Sequence, residues 1–405
     1  MLATLIPLFD ENMQVRAYSL FSQKKNMLED PLYLGTAVHY DAVMIQGFDI
    51  VNSVGINTLA PDSEIFIPVT NISIFGDINS QCKVPHKRIA LLMDNYITPE
   101  SSYVDRIRDL KRDGYKLAIR KIGVADFENY REILKLVDYV FLDHQKIVIS
   151  KAKIYFSSQF PNVSLIAGNL HEMEIFEALK QEGGYQYYEG AFYRMPYDKG
   201  DKTIAPLKIN YLQLLNVVND DNFDLTKAAD IIGQDTALVI SLLEMVNKMA
   251  LNSEITSIRH AAAMLGQREL KKWITTAITR QLCSDKPSEI TRISLLRAKF
   301  AESIAPLFGM KFFAQELFLM GLFSVIDIML DTTMENALEM INISKNIKSA
   351  LISHSGPYAK VLDFIDRYDN ADWQEVSRVM IMESIKLDDL YAAYINSLEW
   401  YRDLF

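Results

Sequence analysis

The sequence predicts an α/β domain followed by an all-α domain, with the α/β part closed into a TIM-like β/α barrel. Two observations predict this: short apolar segments alternate with amphipathic ones in the first half, and strand-like segments end near residue 196. Strands that are apolar throughout are typical of a parallel sheet covered by helices on both faces. Because 405 residues are too many for one core in most folds, we place the barrel at residues 1–199 and the helical domain, with a C-terminal helical extension, at residues 200–405.

Eight short segments rich in Ile, Leu, Val, Phe and Tyr are the predicted strands of the barrel. They lie at residues 4–9, 16–22, 65–69, 88–93, 116–119, 139–143, 164–167 and 185–188. The short turn at residues 10–13 predicts that the first two strands form an antiparallel hairpin. Repeated βα units predict that the other strands are parallel and that the sheet closes. Amphipathic helices are predicted between the strands, at residues 100–113, 127–137 and 172–182.

The second domain is predicted from helical patterns alone. A polar linker at residues 197–202 leads to helices that begin near Asp235, a suitable N-cap, and at Ser257, the latter helix ending at Gly266. The most apolar stretch, residues 317–326, has about half the length needed to span a bilayer. It is therefore predicted to be a buried helix.

The last helix carries an apolar and aromatic stripe at alternating spacings of four and three residues. The stripe consists of Leu387, Tyr391, Tyr394, Leu398, Tyr401 and Phe405. Such a stripe predicts a seam that faces the core, and the alternative is a partner-binding or dimerising surface.

The bulk composition excludes several classes of protein. A net charge of −10 argues against nucleic-acid binding through phosphate neutralisation. Cys82 and Cys283 are the two cysteines and lie far apart in sequence, which predicts reduced thiols in a cytosolic protein. The six histidines are scattered, so no zinc site is expected. Residues 1–10 lack a basic segment and read as a first strand rather than a signal peptide. We expect a cytoplasmic protein without membrane insertion.

The second half resembles a known helical module. Residues 235–247 and 255–266 together form a long and fairly specific pattern. This pattern resembles the HDOD domain, which is related to the HD-type phosphohydrolases but usually lacks their catalytic residues. The resemblance implies an all-helical fold.

The first half resembles the EAL domain, the barrel of cyclic di-GMP phosphodiesterases, although its motifs are eroded. Pro7 and Asp10 with residues 17–21 are similar to the opening strands, residues 114–118 to the middle strand, and residues 184–196 to the end of the domain. Together the two halves look like the two-domain EAL–HDOD signalling proteins of bacteria, with a degenerate EAL domain.

The departures from the EAL pattern concern its catalytic site. The resemblance implies two divalent cations held by carboxylates and an asparagine, with a lysine near the attacked phosphate. Their positions hold Ser19 for the name-giving glutamate, Pro68 for the asparagine, Leu92 and Asn95 for two glutamates, Arg120 and Lys121 for paired aspartates, Phe141 for the lysine, and Gly168 and His171 for two further glutamates. Asp143 survives, and Glu189 replaces a glutamine that helps to hold the nucleotide.

Hard cations such as Mg²⁺ and Mn²⁺ need several oxygen ligands, and hydrolysis with two metals needs bridging carboxylates. Two fixed positive charges near the metal position oppose binding by roughly a few kcal/mol each. The sequence therefore predicts no bound metal, no cofactor and no catalysis in the barrel.

The remnant cleft has two alternative interpretations. Arg120 and Lys121, with Asp143 and Glu189 nearby, could form an anion site that works without metal. In the alternative, the two cations pair with Asp94, Asp143 or Glu189 and only fill the cleft.

The helical half also lacks the residues of an HD-type metal site. The chain contains no His-Asp dipeptide, and apolar residues or serine fill the matching places in residues 320–327. Asp327 is predicted to be a helix-surface acid, and His260 and His354 satisfied surface or core residues.

These observations predict a non-enzymatic signalling protein that acts through protein partners. The resemblance implies a role in cyclic di-GMP-linked control of motility, biofilm formation or related responses, and it makes a homodimer plausible. Two rival hypotheses remain: a metal-independent nucleotide or anion sensor that uses the remnant cleft, and a residual cyclic di-GMP phosphodiesterase.

Overall fold

The computed structural model describes residues 1–24, 43–194, 206–220, 223–249 and 255–404. The chain forms two compact units. The first unit consists of Met1–Met195, Lys299–Ala314 and Asp363–Phe405, and the second of Pro196–Ala298 and Gln315–Leu362. The predicted linker at residues 197–202 lies outside the described residues.

Eight strands of the first unit close into a barrel in chain order. They are β1 Leu2–Phe9, β2 Val15–Gln23, β3 Glu64–Pro68, β4 Ile89–Met93, β5 Lys116–Ile119, β6 Tyr139–Asp143, β7 Ser164–Leu170 and β8 Tyr187–Gly190. β1 pairs antiparallel with β2 and β8, and the remaining neighbours are parallel. The predicted barrel and its opening hairpin are confirmed. Asp10 closes the hairpin turn, because its Oδ1 accepts hydrogen bonds from the backbone N–H groups of Asn12 and Gln14 at 2.8 and 2.9 Å.

Helices and short turns connect the strands. The α-helices are α1 Gln46–Val54, α2 Ile56–Leu59, α3 Ile78–Gln81, α4 Ser101–Arg112, α5 Arg131–Leu134, α6 Ile149–Gln159 and α7 Met173–Glu182. The predicted helices at residues 100–113 and 172–182 are confirmed as α4 and α7. The helix predicted at residues 127–137 is reduced to α5, because the residues before it form turns. The Tyr130 hydroxyl fixes these turns by donating to the backbone oxygen of Asn95 at 3.0 Å.

The rest of the chain is helical. Its α-helices are α8 Pro206–Val218, α9 Leu225–Ile232, α10 Thr236–Met249, α11 Ile258–Leu282, α12 Ser288–Ile304, α13 Ala314–Phe323, α14 Ile326–Leu330, α15 Met334–Glu339, α16 Lys345–Ser353, α17 Ala359–Asp369, α18 Trp373–Glu383 and α19 Leu387–Arg402. None of the described helices combines the length and the apolar character needed to cross a bilayer.

Local signals correctly placed two helix starts in the second unit. Asp235 caps α10 by accepting from the backbone N–H of Ala237 at 2.9 Å, and the Ser257 hydroxyl oxygen accepts from the N–H of His260 at 3.4 Å at the start of α11. The predicted end of the second helix at Gly266 is confirmed, since two helical segments meet there at a kink with non-helical backbone angles. Gly266 has a φ of 74°, which glycine tolerates, and helical geometry resumes after it.

The C-terminal segment packs within the first unit, whereas the sequence placed it with the second domain. On α19, Tyr394 and Leu398 are buried, and the Tyr394 ring lies 5.2 Å from Tyr368 and 5.7 Å from Phe300. The Tyr368 hydroxyl in turn accepts from the backbone N–H of Ala3 in β1 at 3.3 Å. The stripe therefore faces the core over its described part, which excludes Phe405.

Helix α13 is the buried helix predicted at residues 317–326. Six of its residues are buried, from Leu317 to Phe323. Gly321 permits the close approach of α12, since a Cβ at this position would lie 2.4 Å from the backbone oxygen of Arg297.

We expect Phe66→Ala to lower the free energy of unfolding of the first unit by about 3–5 kcal/mol, because Phe66 is fully buried in the barrel. Phe312→Ala is the matched control, since Phe312 is 97% exposed in the same unit and its loss should change stability by less than about 0.5 kcal/mol. Urea denaturation in a Trp273→Phe background reports on this unit through Trp373 and Trp400. Equal losses for the two variants would contradict the barrel packing.

We expect Gly321→Ala to destabilise the second unit, because the backbone of α12 cannot move away as a flexible side chain would. Gly233→Ala is the control in the same unit, since its nearest contacts lie at an ordinary 3.4 Å. Thermal unfolding should show a lower midpoint for the first variant than for the second. A Gly321→Ala midpoint at or above that of Gly233→Ala would rule out the close helix contact.

Candidate functional site

The interior of the barrel is filled with side chains up to the level where the parallel strands end. Alternate residues of each strand point inward and form one buried cluster: Leu8, Ala17, Phe66, Ala90, Leu92, Ala118, Tyr139, Phe141, Ile166 and Tyr187. The Phe66 ring meets Phe141 edge-on at 5.6 Å and Tyr139 at 5.2 Å. The C-terminal ends of the strands, where barrel enzymes place their catalytic residues, therefore lie directly above an aromatic layer.

Arg120 follows β5 and lies in this mouth. Its backbone N–H donates to Met93 at 3.0 Å, which continues the pairing of β5 with β4. The guanidinium carbon lies 5.3 Å from the centre of the Phe21 ring and 5.8 Å from that of Phe141, so both rings make cation–π contacts. The Nη1 atom is buried and has no hydrogen-bond partner within the described part of the chain.

Lys121 behaves differently from its neighbour. Its φ of 62° places it in the left-handed region, an uncommon conformation for a lysine. The Nζ atom lies 3.6 Å from a carboxylate oxygen of Asp94, and the two side chains are 52% and 24% exposed. Exposed pairs of this kind contribute about 0–1 kcal/mol. Pairing of the cleft cations with nearby acids is thus observed for Lys121 but not, among the described residues, for Arg120.

Asp143 ends β6 and is held by a small polar network. Its Oδ1 accepts from Asn169 Nδ2 at 3.1 Å and from the backbone N–H of Gln145 at 3.0 Å. Its Oδ2 lies 3.5 Å from Lys146 Nζ. These contacts engage both carboxylate oxygens.

Glu189 is the penultimate residue of β8, and its side chain reaches β2. The buried Ser19 hydroxyl donates to its Oε2 at 3.4 Å. Burial raises the pKa of Glu189 above its usual range, while the positive charge of Arg120 and the Ser19 hydrogen bond oppose the rise and the charge of Asp143 adds to it. The charge of Glu189 therefore interacts with those of Arg120 and Asp143. Lys121 is paired with Asp94 instead.

The other positions at the strand ends do not form a set of metal ligands. Leu92 and Phe141 belong to the buried core cluster, and Gly168 offers no side chain. Pro68, Asn95 and His171 are exposed. Apolar rings and a guanidinium are unsuited to Mg²⁺ or Mn²⁺, which take oxygen ligands. The residues present at these positions do not fit the two cations that the resemblance implies.

Phe21 was missed as a site residue by the sequence analysis. It lies on β2 two positions after Ser19, so strand alternation places both side chains on the same face. The signal that could have found it was this alternation, because Ser19 was already assigned to the cleft.

The HD-like region of the second unit contains a half-buried polar contact. Ser324 donates to the backbone oxygen of Gly321 at 2.7 Å and accepts from Arg297 Nη1 at 3.2 Å. Asp327 is partly buried, and its Oδ1 has no hydrogen-bond partner in the described chain, so the prediction of a helix-surface acid is wrong. Burial raises the pKa of Asp327 to about 6. His260 and His354 are exposed.

A cavity of about 460 Å³ in the second unit was also missed. It lies between α8, α9 and α10 and is lined by Asn210, Tyr211, Gln213, Leu214, Val217, Ile231, Gln234, Asp235 and Leu238. The Tyr211 hydroxyl donates to Asp235 at 3.1 Å on its wall. No sequence motif marks this cavity, because it arises where three helices meet.

The family comparison agrees with the helical pattern. Residues 204–353 match the model of the HDOD domain, so the helical part of the chain contains this domain. An eight-stranded barrel precedes this domain in the chain, which is the order of parts that the EAL–HDOD resemblance predicts.

Two relatives extend the similarity over most of the chain. The cyclic di-GMP phosphodiesterase CdgJ of Vibrio cholerae serotype O1 is 26% identical over 357 residues, which cover 87% of this chain and 82% of the relative. The uncharacterized protein YuxH of Bacillus subtilis strain 168 is 24% identical over 410 residues, with coverages of 98% and 97%. Among solved structures, the EAL enzyme Bd1971 with cAMP and cyclic di-GMP bound matches at 14% identity and a TM-score of 0.37, over 47% of this chain and 60% of that chain.

We expect Asp327→Asn to become more stable relative to the wild type as pH rises. The folded state keeps a proton on Asp327 up to about pH 6, whereas an unfolded aspartate loses it near pH 4, so wild-type stability falls between these values. Arg297 opposes this effect and Glu335 adds to it. Urea denaturation at a series of pH values measures the difference, followed through Trp273 of the second unit in a background in which Trp373 and Trp400 are replaced by Phe.

The control for this experiment is Glu339→Gln, which removes an exposed acid from α15 of the same unit. Its stability should follow the wild-type pH profile. Parallel profiles for Asp327→Asn and the wild type would contradict the raised pKa of Asp327.

Proposed function

We propose that this protein is a non-catalytic signalling protein of the EAL–HDOD class that acts through protein–protein contacts in a cyclic di-GMP network. The proposal rests on the arrangement of side chains at the mouth of the barrel. There the Arg120 guanidinium lies against Phe21 and Phe141, at the level where the EAL resemblance expects metal-binding carboxylates.

The carboxylates near this mouth support the same conclusion. Asp94 faces Lys121, Asp143 is engaged by Asn169 and Lys146, and Glu189 is hydrogen-bonded by Ser19. A metal ion would have to displace these contacts while a guanidinium remained beside it. Two-metal hydrolysis requires carboxylates that are free to bridge the ions, which this arrangement does not favour.

The similarity to CdgJ makes phosphodiesterase activity the main rival. Sequence identity of 26% leaves room for the loss of a catalytic site on a retained fold, since function depends on the site and not on the fold. The substituted positions in this chain are the argument for loss.

Incubation of the full chain with cyclic di-GMP and Mn²⁺ or Mg²⁺ is expected to give no linear dinucleotide, because the metal ligands are replaced. Chromatography of the products measures this, with an active EAL phosphodiesterase as the positive control. The Asp143→Asn variant distinguishes trace activity of this protein from that of a contaminating phosphodiesterase. The substitution would leave the turnover by a contaminant unchanged. Metal-dependent product that Asp143→Asn abolishes would overturn the proposal.

A second candidate function is a metal-independent nucleotide or anion sensor. It is favoured by the buried Nη1 atom of Arg120, which lacks a partner in the described chain. Calorimetry with cyclic di-GMP and related nucleotides, with and without Mg²⁺, would detect binding. Heat that Arg120→Gln removes would support this candidate, and its absence would count against it.

The predicted protein partners, cytoplasmic location and homodimer belong to the same proposal. Light scattering after size exclusion gives the oligomeric state of the full chain, and fractionation of the native cell gives the location.

A further inference from the structure

Charge pairing in the barrel mouth is incomplete among the residues that the structure describes. A buried guanidinium nitrogen without a hydrogen bond is costly, because water is removed and no acceptor replaces it. Arg120 Nη1 is in this position with respect to the described residues, and its cation–π contacts with Phe21 and Phe141 offset only part of the cost. An acceptor supplied from outside the described residues, such as a group on a protein partner, would complete the site.

The nearby acids do not supply that acceptor. Asp94 forms an ion pair with Lys121 at 3.6 Å, and Asp143 forms one with Lys146 at 3.5 Å. The positive charge of Arg120 lowers the pKa of Glu189, but the Glu189 carboxylate accepts its hydrogen bond from Ser19. Burial raises the pKa of Glu189 overall, which weakens it as a counterion.

An apolar rim lines one side of this mouth. The four consecutive loops that follow β3, β4, β5 and β6 each present a strongly exposed apolar side chain: Ile72 at 53%, Tyr96 at 70%, Val124 at 61% and Val148 at 63% exposure. Because the C-terminal ends of parallel strands meet at one end of a barrel, these side chains lie at the same end as Arg120. Single exposed apolar residues are ordinary, but a concentration of them on one functional face indicates a contact surface.

We propose that the barrel mouth is the docking site for an acidic peptide segment of a protein partner, whose carboxylate pairs with Arg120 while its apolar side chains contact the rim of Ile72, Tyr96, Val124 and Val148. The inference rests on the proposed function and names the surface and the partner chemistry through which the contacts are made.

The charges around Arg120 favour a carboxylate over a phosphate as its ligand. A phosphate monoester brings close to two negative charges next to Asp94, Asp143 and Glu189, whereas a carboxylate brings one and can pair with a guanidinium through two hydrogen bonds. The apolar rim also favours a peptide over a phosphate ligand, because it offers contact area to an apolar side chain and none to a hydrated phosphate. The net charge of −10 likewise opposes polyanions.

A displayed library of random peptides, selected on the full-length protein, tests the proposal. Enriched peptides are expected to share an Asp or Glu flanked by apolar residues. The dissociation constant of a synthetic enriched peptide is then measured by fluorescence anisotropy. It should rise by roughly tenfold or more when the acid is replaced by its amide, or when Arg120→Gln is introduced.

The two changes form a cycle that identifies direct pairing. In the Arg120→Gln protein, the amide peptide should bind no more weakly than the acidic one, because the interaction is already lost. Tyr96→Ser should weaken binding through the rim. Ile154→Ser is its matched control, since Ile154 is 69% exposed on α6 of the same unit, and it should leave binding unchanged. Circular dichroism and thermal unfolding confirm that the variants fold.

Selection of no peptides, selection of peptides without an acid, or an equal loss for the amide peptide in both proteins would overturn the docking site. The hydrolysis assay remains independent of this result. Metal-dependent turnover defeats the proposed function, whereas a failed peptide selection with no turnover defeats only the docking site.

Discussion

Closure of the eight-stranded sheet is the constraint on which the first unit depends. A closed barrel turns every second side chain of each strand inward, so the interior must be filled to native packing density. Phe66, Tyr139 and Phe141 fill it with rings, and Leu92 extends the apolar layer to the strand end. This filling also determines the chemistry of the mouth. At the strand ends, this apolar layer lies beside the polar side chains of Arg120, Asp143 and Glu189.

The charges at the mouth follow from that packing. Arg120 is positioned against Phe141 by the register of β5 and β6, and it has no hydrogen-bonding acceptor for Nη1 among the described residues. Lys121, one residue later, adopts a left-handed conformation and pairs with Asp94 at the surface. Two adjacent cations thus have different roles: one balances a surface acid, and the other leaves a buried charge for which a ligand would supply the counterion.

The elements that the sequence predicted well are those with local causes. Strand positions follow from short apolar runs, and the starts of two helices follow from the capping residues Asp235 and Ser257. The candidate site was predicted as a set of substitutions, because the order of the strands carries each position to the same end of the barrel. The unit to which α19 belongs and the burial of Asp327 were not predicted, since both depend on which surfaces meet in the folded chain.

The sequence by itself determined the barrel and the helical domain and predicted that the carboxylates expected from the EAL resemblance are replaced, because these features depend on residue type and spacing along the chain. Only the tertiary structure decided how the replacements are used. It separated Arg120 from Lys121, set Phe21 beside the guanidinium and joined Ser19 to Glu189 across the sheet. The physical reason is that pairing and burial depend on distances between residues remote in sequence, which residue spacing does not encode.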